Sequence, residues 1–194
     1  MDDVLCRYDL GTRLRALSLL SGKMPRDIRA AVWDSGFEEE ADAGAYPEPV
    51  RYLAEFNRRL GHELTAAEWI AARRRAMTAW PAMIELARVI GRRARLALFT
   101  NNGPMTKHHL PELFPEAAAV FAEQYCSYEF AAKKPDPKSY LRLMERMGAA
   151  PADAWFIDDK RSNVQGAVMA GLAGHHFRSA GWLEAEARER GLIE

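Results

Sequence analysis

Asp153-Ala154-Trp155-Phe156-Ile157-Asp158-Asp159-Lys160-Arg161-Ser162-Asn163-Val164-Gln165-Gly166-Ala167 sets two adjacent carboxylates at the end of a short apolar run and just ahead of a helix-patterned segment. Residues 154–157 are too few for a helix and rich in aromatic and β-branched side chains, so they read as a buried strand. The apolar residues of 163–172 recur at helical spacing. Asp158 and Asp159 then fall at the carboxyl edge of a parallel sheet, where open α/β sheets bind ligands. Side-by-side carboxylates repel unless a cation or basic groups share the site, and hard oxygen donors suit Mg²⁺. The competing reading is a helix N-cap by Asp159 or Ser162. The stretch alone leaves both open.

Outward from it, strand and helix alternate over the second half of the chain. Residues 96–99 form a buried run ending in Thr100-Asn101-Asn102-Gly103. A strand over 124–130 precedes Ala132-Lys133-Lys134-Pro135-Asp136-Pro137, a helix covers 139–147, and a strand over 174–177 and a helix over 182–190 follow the acidic pair. With Pro81 starting a helix to about residue 93, this alternation predicts a parallel sheet with right-handed crossovers. The first part reads differently. Helical spacing over 10–20, a short helix over 27–33 with Asp27 as a possible cap, a turn-rich acidic stretch over 36–47, a helix from Pro49 closed by Gly61, and a Thr65/Glu68 capping box make residues 10–79 an all-helical insertion. The domain expectation is a core of 1–9 plus 80–194 and a helical cap of 10–79.

Composition bounds the function. The 194 residues are 48% hydrophobic, with 27 basic and 27 acidic side chains. That balance gives no general field for nucleic acid or an anionic membrane, so any anion site is local. Arg73-Arg74-Arg75, in a helical pattern, reads as a solvated helix face. Two cysteines without a CxxC, no membrane-length apolar run and no leader pattern lead to the expectation of a cytoplasmic protein without disulfides. His108-His109 and His175-His176 lack partners at ligand spacing and read as surface or packing residues. Trp33, Phe37, Tyr46, Tyr52 and Phe56 are candidates to line a pocket, although their helical spacing assigns most of them to the bundle core.

Thr100 and Asn101, Lys134, and Asp158 with Asp159 each follow a predicted strand, and parallel strands bring those ends together. A hydroxyl, an amide, an ammonium and two carboxylates in one crevice suit phosphoryl transfer, in which charge on the peripheral oxygens must be met by a cation and fixed donors. These same residues carry a resemblance to the haloacid dehalogenase superfamily. Leu98-Phe99-Thr100-Asn101-Asn102 resembles its second motif, Lys134-Pro135-Asp136-Pro137 with Tyr140 its third, and Phe156-Ile157-Asp158-Asp159 through Asn163, Gly166 and Ala167 its fourth. The helical block looks like the family's cap, and the whole is similar to the small sugar-phosphate phosphatases typified by bacterial α-glucose-1-phosphate phosphatase. The implied fold is a Rossmann-like α/β parallel sheet with an inserted helical cap.

The resemblance also implies roles. Asp2 is the general acid and base, with its backbone carbonyl on Mg²⁺. Thr100 and Lys134 bind the phosphoryl oxygens, Asn101 orients the site, and Asp158 and Asp159 hold Mg²⁺ with Asn163 in support. Aligned on Val4-Leu5, the family's first motif puts its nucleophilic aspartate one residue before Met1, together with the central strand. The expectation is therefore a Mg²⁺-dependent phosphatase of a small phosphorylated metabolite, working through an aspartyl-phosphate, whose nucleophile and strand precede Met1 because the start was assigned late or the chain was cut. The alternatives are a phosphate-binding remnant without a nucleophile, a 2-haloacid dehalogenase, and Asp2 itself as nucleophile, which would leave Val4 at the acid/base position.

Overall fold

A short antiparallel pair divides the molecule. In the computed structural model, which describes residues 1–194, β1 (Cys6–Tyr8) lies against β2 (Met77–Ala79), with Cys6 opposite Ala79 and Tyr8 opposite Met77. Between them run five helices: α1 (Leu10–Ser21), α2 (Pro25–Val32), α3 (Phe37–Asp42), α4 (Pro49–Leu60) and α5 (Ala66–Arg75). Asp9 caps α1 by accepting from the Thr12 amide, and the Thr65/Glu68 capping box opens α5. Pro49 starts α4, and Gly61, at φ 63°, ends it in the left-handed region that glycine enters at least cost. Two expectations fail here. Asp27 lies in the first turn of α2, whose cap position is Met24, because Pro25 is preset for the first helical residue. The acidic stretch contains α3, which Phe37 and Ala41 anchor by burying one face.

The aromatic side chains of this block form its own core. Phe37, Tyr52, Phe56 and Trp69 are all buried and stack at centroid separations of 5.2 to 6.4 Å. Trp33 and Tyr46 pack at the edge of the same cluster, which also takes in Met105 and Leu113 from outside the block.

After β2 come α6 (Pro81–Ile90), β3 (Ala97–Thr100), the short helices α7 (Pro104–His108), α8 (Leu110–Leu113) and α9 (Pro115–Val120), and β4 (Glu123–Cys126). Then follow α10 (Pro137–Met147), β5 (Trp155–Asp158), α11 (Arg161–Met169), β6 (Ala173–His176) and α12 (Ala180–Glu189). The second strand is shorter than its apolar pattern suggests: residues 127–130 wind into a 3-10 turn, with Glu129 accepting from the Cys126 amide. β3 pairs in parallel with β4, Thr100 opposite Cys126, and β5 pairs in parallel with β6, Asp158 opposite His176. Fold class is therefore α/β with parallel strands.

The two parallel pairs do not join. Between them lies an apolar slot of about 590 Å³, and 25 of its 28 lining residues are hydrophobic, among them Met1, Leu98, Phe99, Phe156 and Ile157. β3 and β5 thus each carry one edge without a strand partner.

Candidate active site

β3, β5 and the loop before α10 end at the same place. Lys134 and Asp158 are the centre of it: Lys134 Nζ donates to Asp158 Oδ2 at 2.7 Å and to the Phe99 carbonyl at 3.1 Å, and both residues are about 95% buried. The ammonium also sits 5.3 and 5.1 Å from the Phe99 and Phe156 ring centroids. Burial by itself would raise the Asp158 pKa, but the Lys134 charge and its hydrogen bonds hold the carboxyl below its ordinary value. A buried pair of this kind is fixed in place because loss of either partner strands the other charge.

The N-cap alternative is not realised in the fold. Asp158 Oδ1 accepts from the Lys160 amide at 2.9 Å and from Asn163 Nδ2 at 2.8 Å, whereas neither Asp159 nor Ser162 caps α11. Asn163 in turn receives the Tyr140 hydroxyl on its carbonyl at 2.6 Å. Gly166 is what lets α11 approach: a Cβ there would stand 2.0 Å from the Pro135 carbonyl oxygen.

Asn101 clamps the Lys134 loop from β3, its Nδ2 donating to the Lys134 carbonyl at 2.8 Å and its Oδ1 accepting from the Lys134 amide at 3.0 Å. Thr100 is buried and accepts from Asn102 Nδ2 at 2.7 Å. Asp159 is half-buried beside Asp158; burial first, and then the Asp158 charge, push its pKa up. A cation would reverse that push, so hard-oxygen chemistry fits Asp158 and Asp159. The set is incomplete, since nowhere do three or more His, Cys, Asp or Glu side chains converge to hold a metal.

Asp2 completes the group from the amino end. A turn closed by the Met1 carbonyl, which accepts from Leu5 N at 2.9 Å, presents it, and Asp2 Oδ2 accepts from Arg73 Nη2 at 3.2 Å. The Met1 amino group is buried; desolvation and then the neighbouring Lys134 charge lower its pKa, while Asp2 and Asp158 oppose that shift. The expected residues Asp2, Thr100, Asn101, Lys134, Asp158 and Asp159 thus meet at one edge.

Two contributors escape a sequence reading. Arg73 is a correction: Arg74 and Arg75 are exposed, but Arg73 is 5% exposed and bonded to Asp2 and to Asn102 Oδ1, the latter at 2.9 Å. Three consecutive arginines on a helix cannot share one face, and that spacing was the available signal. His176 Nε2 contacts the Asp159 carbonyl at 2.9 Å, a link that only strand pairing creates. His175 packs against Glu186, as a structural histidine would, and His108 is exposed.

Comparison with known proteins agrees with this geometry. The family model described as "Hydrolase: haloacid dehalogenase-like hydrolase" matches residues 26–171. A 75-residue stretch is 33% identical to flavin mononucleotide hydrolase 1 of Arabidopsis thaliana, covering 39% of this chain and 31% of that protein. Among solved structures, a predicted HAD-like family hydrolase from Porphyromonas gingivalis superposes with a TM-score of 0.76 at 21% identity, over 96% of this chain and 92% of that one. A HAD family enzyme of Bacteroides thetaiotaomicron, solved in complex with magnesium and inorganic phosphate, superposes with a TM-score of 0.72 at 18% identity, over 93% and 92% of the two chains. With a family match spanning most of its length, and the motif residues gathered where the strands end, the chain belongs to the haloacid dehalogenase-like hydrolases.

Proposed function

We propose that the protein is a Mg²⁺-dependent phosphatase of a small phosphorylated metabolite, acting through an aspartyl-phosphate intermediate whose aspartate immediately precedes Met1. The observation that carries the reading is the buried Lys134–Asp158 pair, flanked by Thr100 and Asn101 at the ends of parallel strands. Lys134 and the Thr100 hydroxyl meet the phosphoryl oxygens, and Asn101 keeps Lys134 in place. Asp2 gives a proton to the leaving oxygen and then takes one from the attacking water. Asp158, Asp159 and the Asp2 carbonyl would hold Mg²⁺, which would supply charge neutralisation at the transferred group. Residues 10–79 act as a cap over the crevice, on a core of 1–9 and 80–194.

The slot supports the upstream aspartate. A slot lined by so many hydrophobic side chains leaves their apolar surface without packing partners, a cost that a segment filling it removes. A strand preceding Met1 fills it, pairs with the bare edges of β3 and β5, and delivers its last residue beside the buried Met1 amino group, next to Lys134 and Asp158. For the substrate we propose a sugar phosphate. The stretch shared with the plant flavin mononucleotide hydrolase makes that nucleotide the second candidate. The absence of any helix long and apolar enough to cross a membrane and the two free buried cysteines are compatible with the cytoplasmic location we propose.

The test is phosphate release from a panel of sugar phosphates, flavin mononucleotide and 2-haloacids by the full-length protein, with and without Mg²⁺. The expected outcome is Mg²⁺-dependent phosphate release that Asp159→Ala abolishes. Halide release without Mg²⁺ would identify a dehalogenase, and phosphate binding without turnover a remnant.

A further inference from the structure

Arg73 is carried on α5, inside the helical block, yet its guanidinium ends at the strand-end site. We propose that it is a positioning residue: by holding Asp2 and Asn102 together, it makes the orientation of the acid/base carboxylate depend on how the cap is seated. The inference rests on the phosphatase reading and on the role given there to Asp2.

Three observations carry it. Arg73 Nη2 is shared between Asp2 Oδ2 at 3.2 Å and Asn102 Oδ1 at 2.9 Å, so a single nitrogen joins residues separated by about half of the chain. Asn102 passes the link on, since its Nδ2 donates to Thr100 Oγ1 at 2.7 Å, and Thr106 Oγ1 also donates to Asn102 Oδ1 at 3.1 Å. The guanidinium lies over the Tyr8 ring of β1 at 5.2 Å, and its Nε is buried without any partner. The guanidinium is a planar, fixed fork, so the carboxylate bonded to it is held in one orientation. Tyr8 and Asn102 hold the fork from two sides, so only a matching carboxylate position completes it.

The experiment compares Arg73→Ala and Arg73→Lys with the parent full-length protein on two esters. 4-Nitrophenyl phosphate releases a stable phenolate that needs no proton, whereas an alkyl phosphate such as glycerol 2-phosphate needs one. If Arg73 orients the proton donor, Arg73→Ala lowers kcat on the alkyl ester by about tenfold or more beyond its effect on the nitrophenyl ester, with KM little changed. Millimolar guanidinium restores part of the alkyl-ester rate, and Arg73→Lys falls between. Equal losses on both esters without guanidinium recovery overturn the proposal in favour of a purely structural arginine. Should Arg73→Ala fail to fold by circular dichroism, Arg73→Lys decides alone, and an even loss on both esters overturns the proposal there too. A parent protein that releases phosphate from neither ester sinks the phosphatase reading itself, and the role of Arg73 with it.

Discussion

Two carboxylates at the site show how neighbours, more than residue type, set the state of a side chain. Asp158 stays ionised despite burial because Lys134, the Lys160 amide and Asn163 all donate to it. Asp42, at the end of α3, has no such donors: burial, and then Glu38 one helical turn away, push it up to about 8, against weaker pulls from Arg73 and Lys133 and a further push from Asp2. Its folded pKa exceeds the unfolded value, so the carboxyl costs nothing while protonated in both states and increasingly destabilises the fold as pH rises from about 4 toward 8. Asp42→Asn is therefore expected to leave the melting temperature unchanged near pH 4 and to raise it by roughly 5 °C near pH 9, about 2 kcal/mol for a chain of this size. A melting series over that interval checks it; equal curves at both ends would exclude the burial effect.

The element that matters most is α11, because it carries Asn163 to Asp158 and packs across the Lys134–Pro135 loop at Gly166. Its helix need not be intrinsically strong. Contact with the loop is what fixes it, and the contact leaves no room for a methyl. Gly166→Ala must displace the Pro135 carbonyl, at a cost of about 3 kcal/mol. The expected reading is a lower urea midpoint with an unchanged slope, accompanied by loss of phosphate binding as Lys134 shifts. A variant as stable as the parent would show that the loop yields without strain. At this scale the sequence was informative wherever a local rule operates: the Thr65/Glu68 box, Pro49 with Gly61, and the apolar runs before Thr100 and Asp158. It was misleading where burial decides, as for α3 inside an acidic stretch and for the 3-10 turn after Cys126, whose backbone Glu129 rather than a strand partner satisfies.

At the scale of the whole molecule, the parallel pairs β3–β4 and β5–β6 face each other across an apolar slot. If the proposed strand occupies this slot, a chain starting at Met1 should bind an apolar dye such as anilinonaphthalene sulfonate, and a chain extended by that strand should not, with a melting temperature higher by roughly 10 °C or more. Dye binding that persists in the extended protein would mean that the slot is not a strand site.

By itself, the sequence determined the alternation of strands and helices, the helical block, and the residues that end each strand, because period, caps and apolar runs act over a few positions and need no partner. Only the tertiary structure decided which charges are buried. Arg73 leaves its exposed neighbours to reach Asp2, Asp158 receives the Lys160 amide and the Asn163 side chain while neither Asp159 nor Ser162 caps α11, and His176 comes to rest on Asp159. Those pairings join positions far apart in the chain, and their strength comes from exclusion of water, which no local pattern of residues encodes.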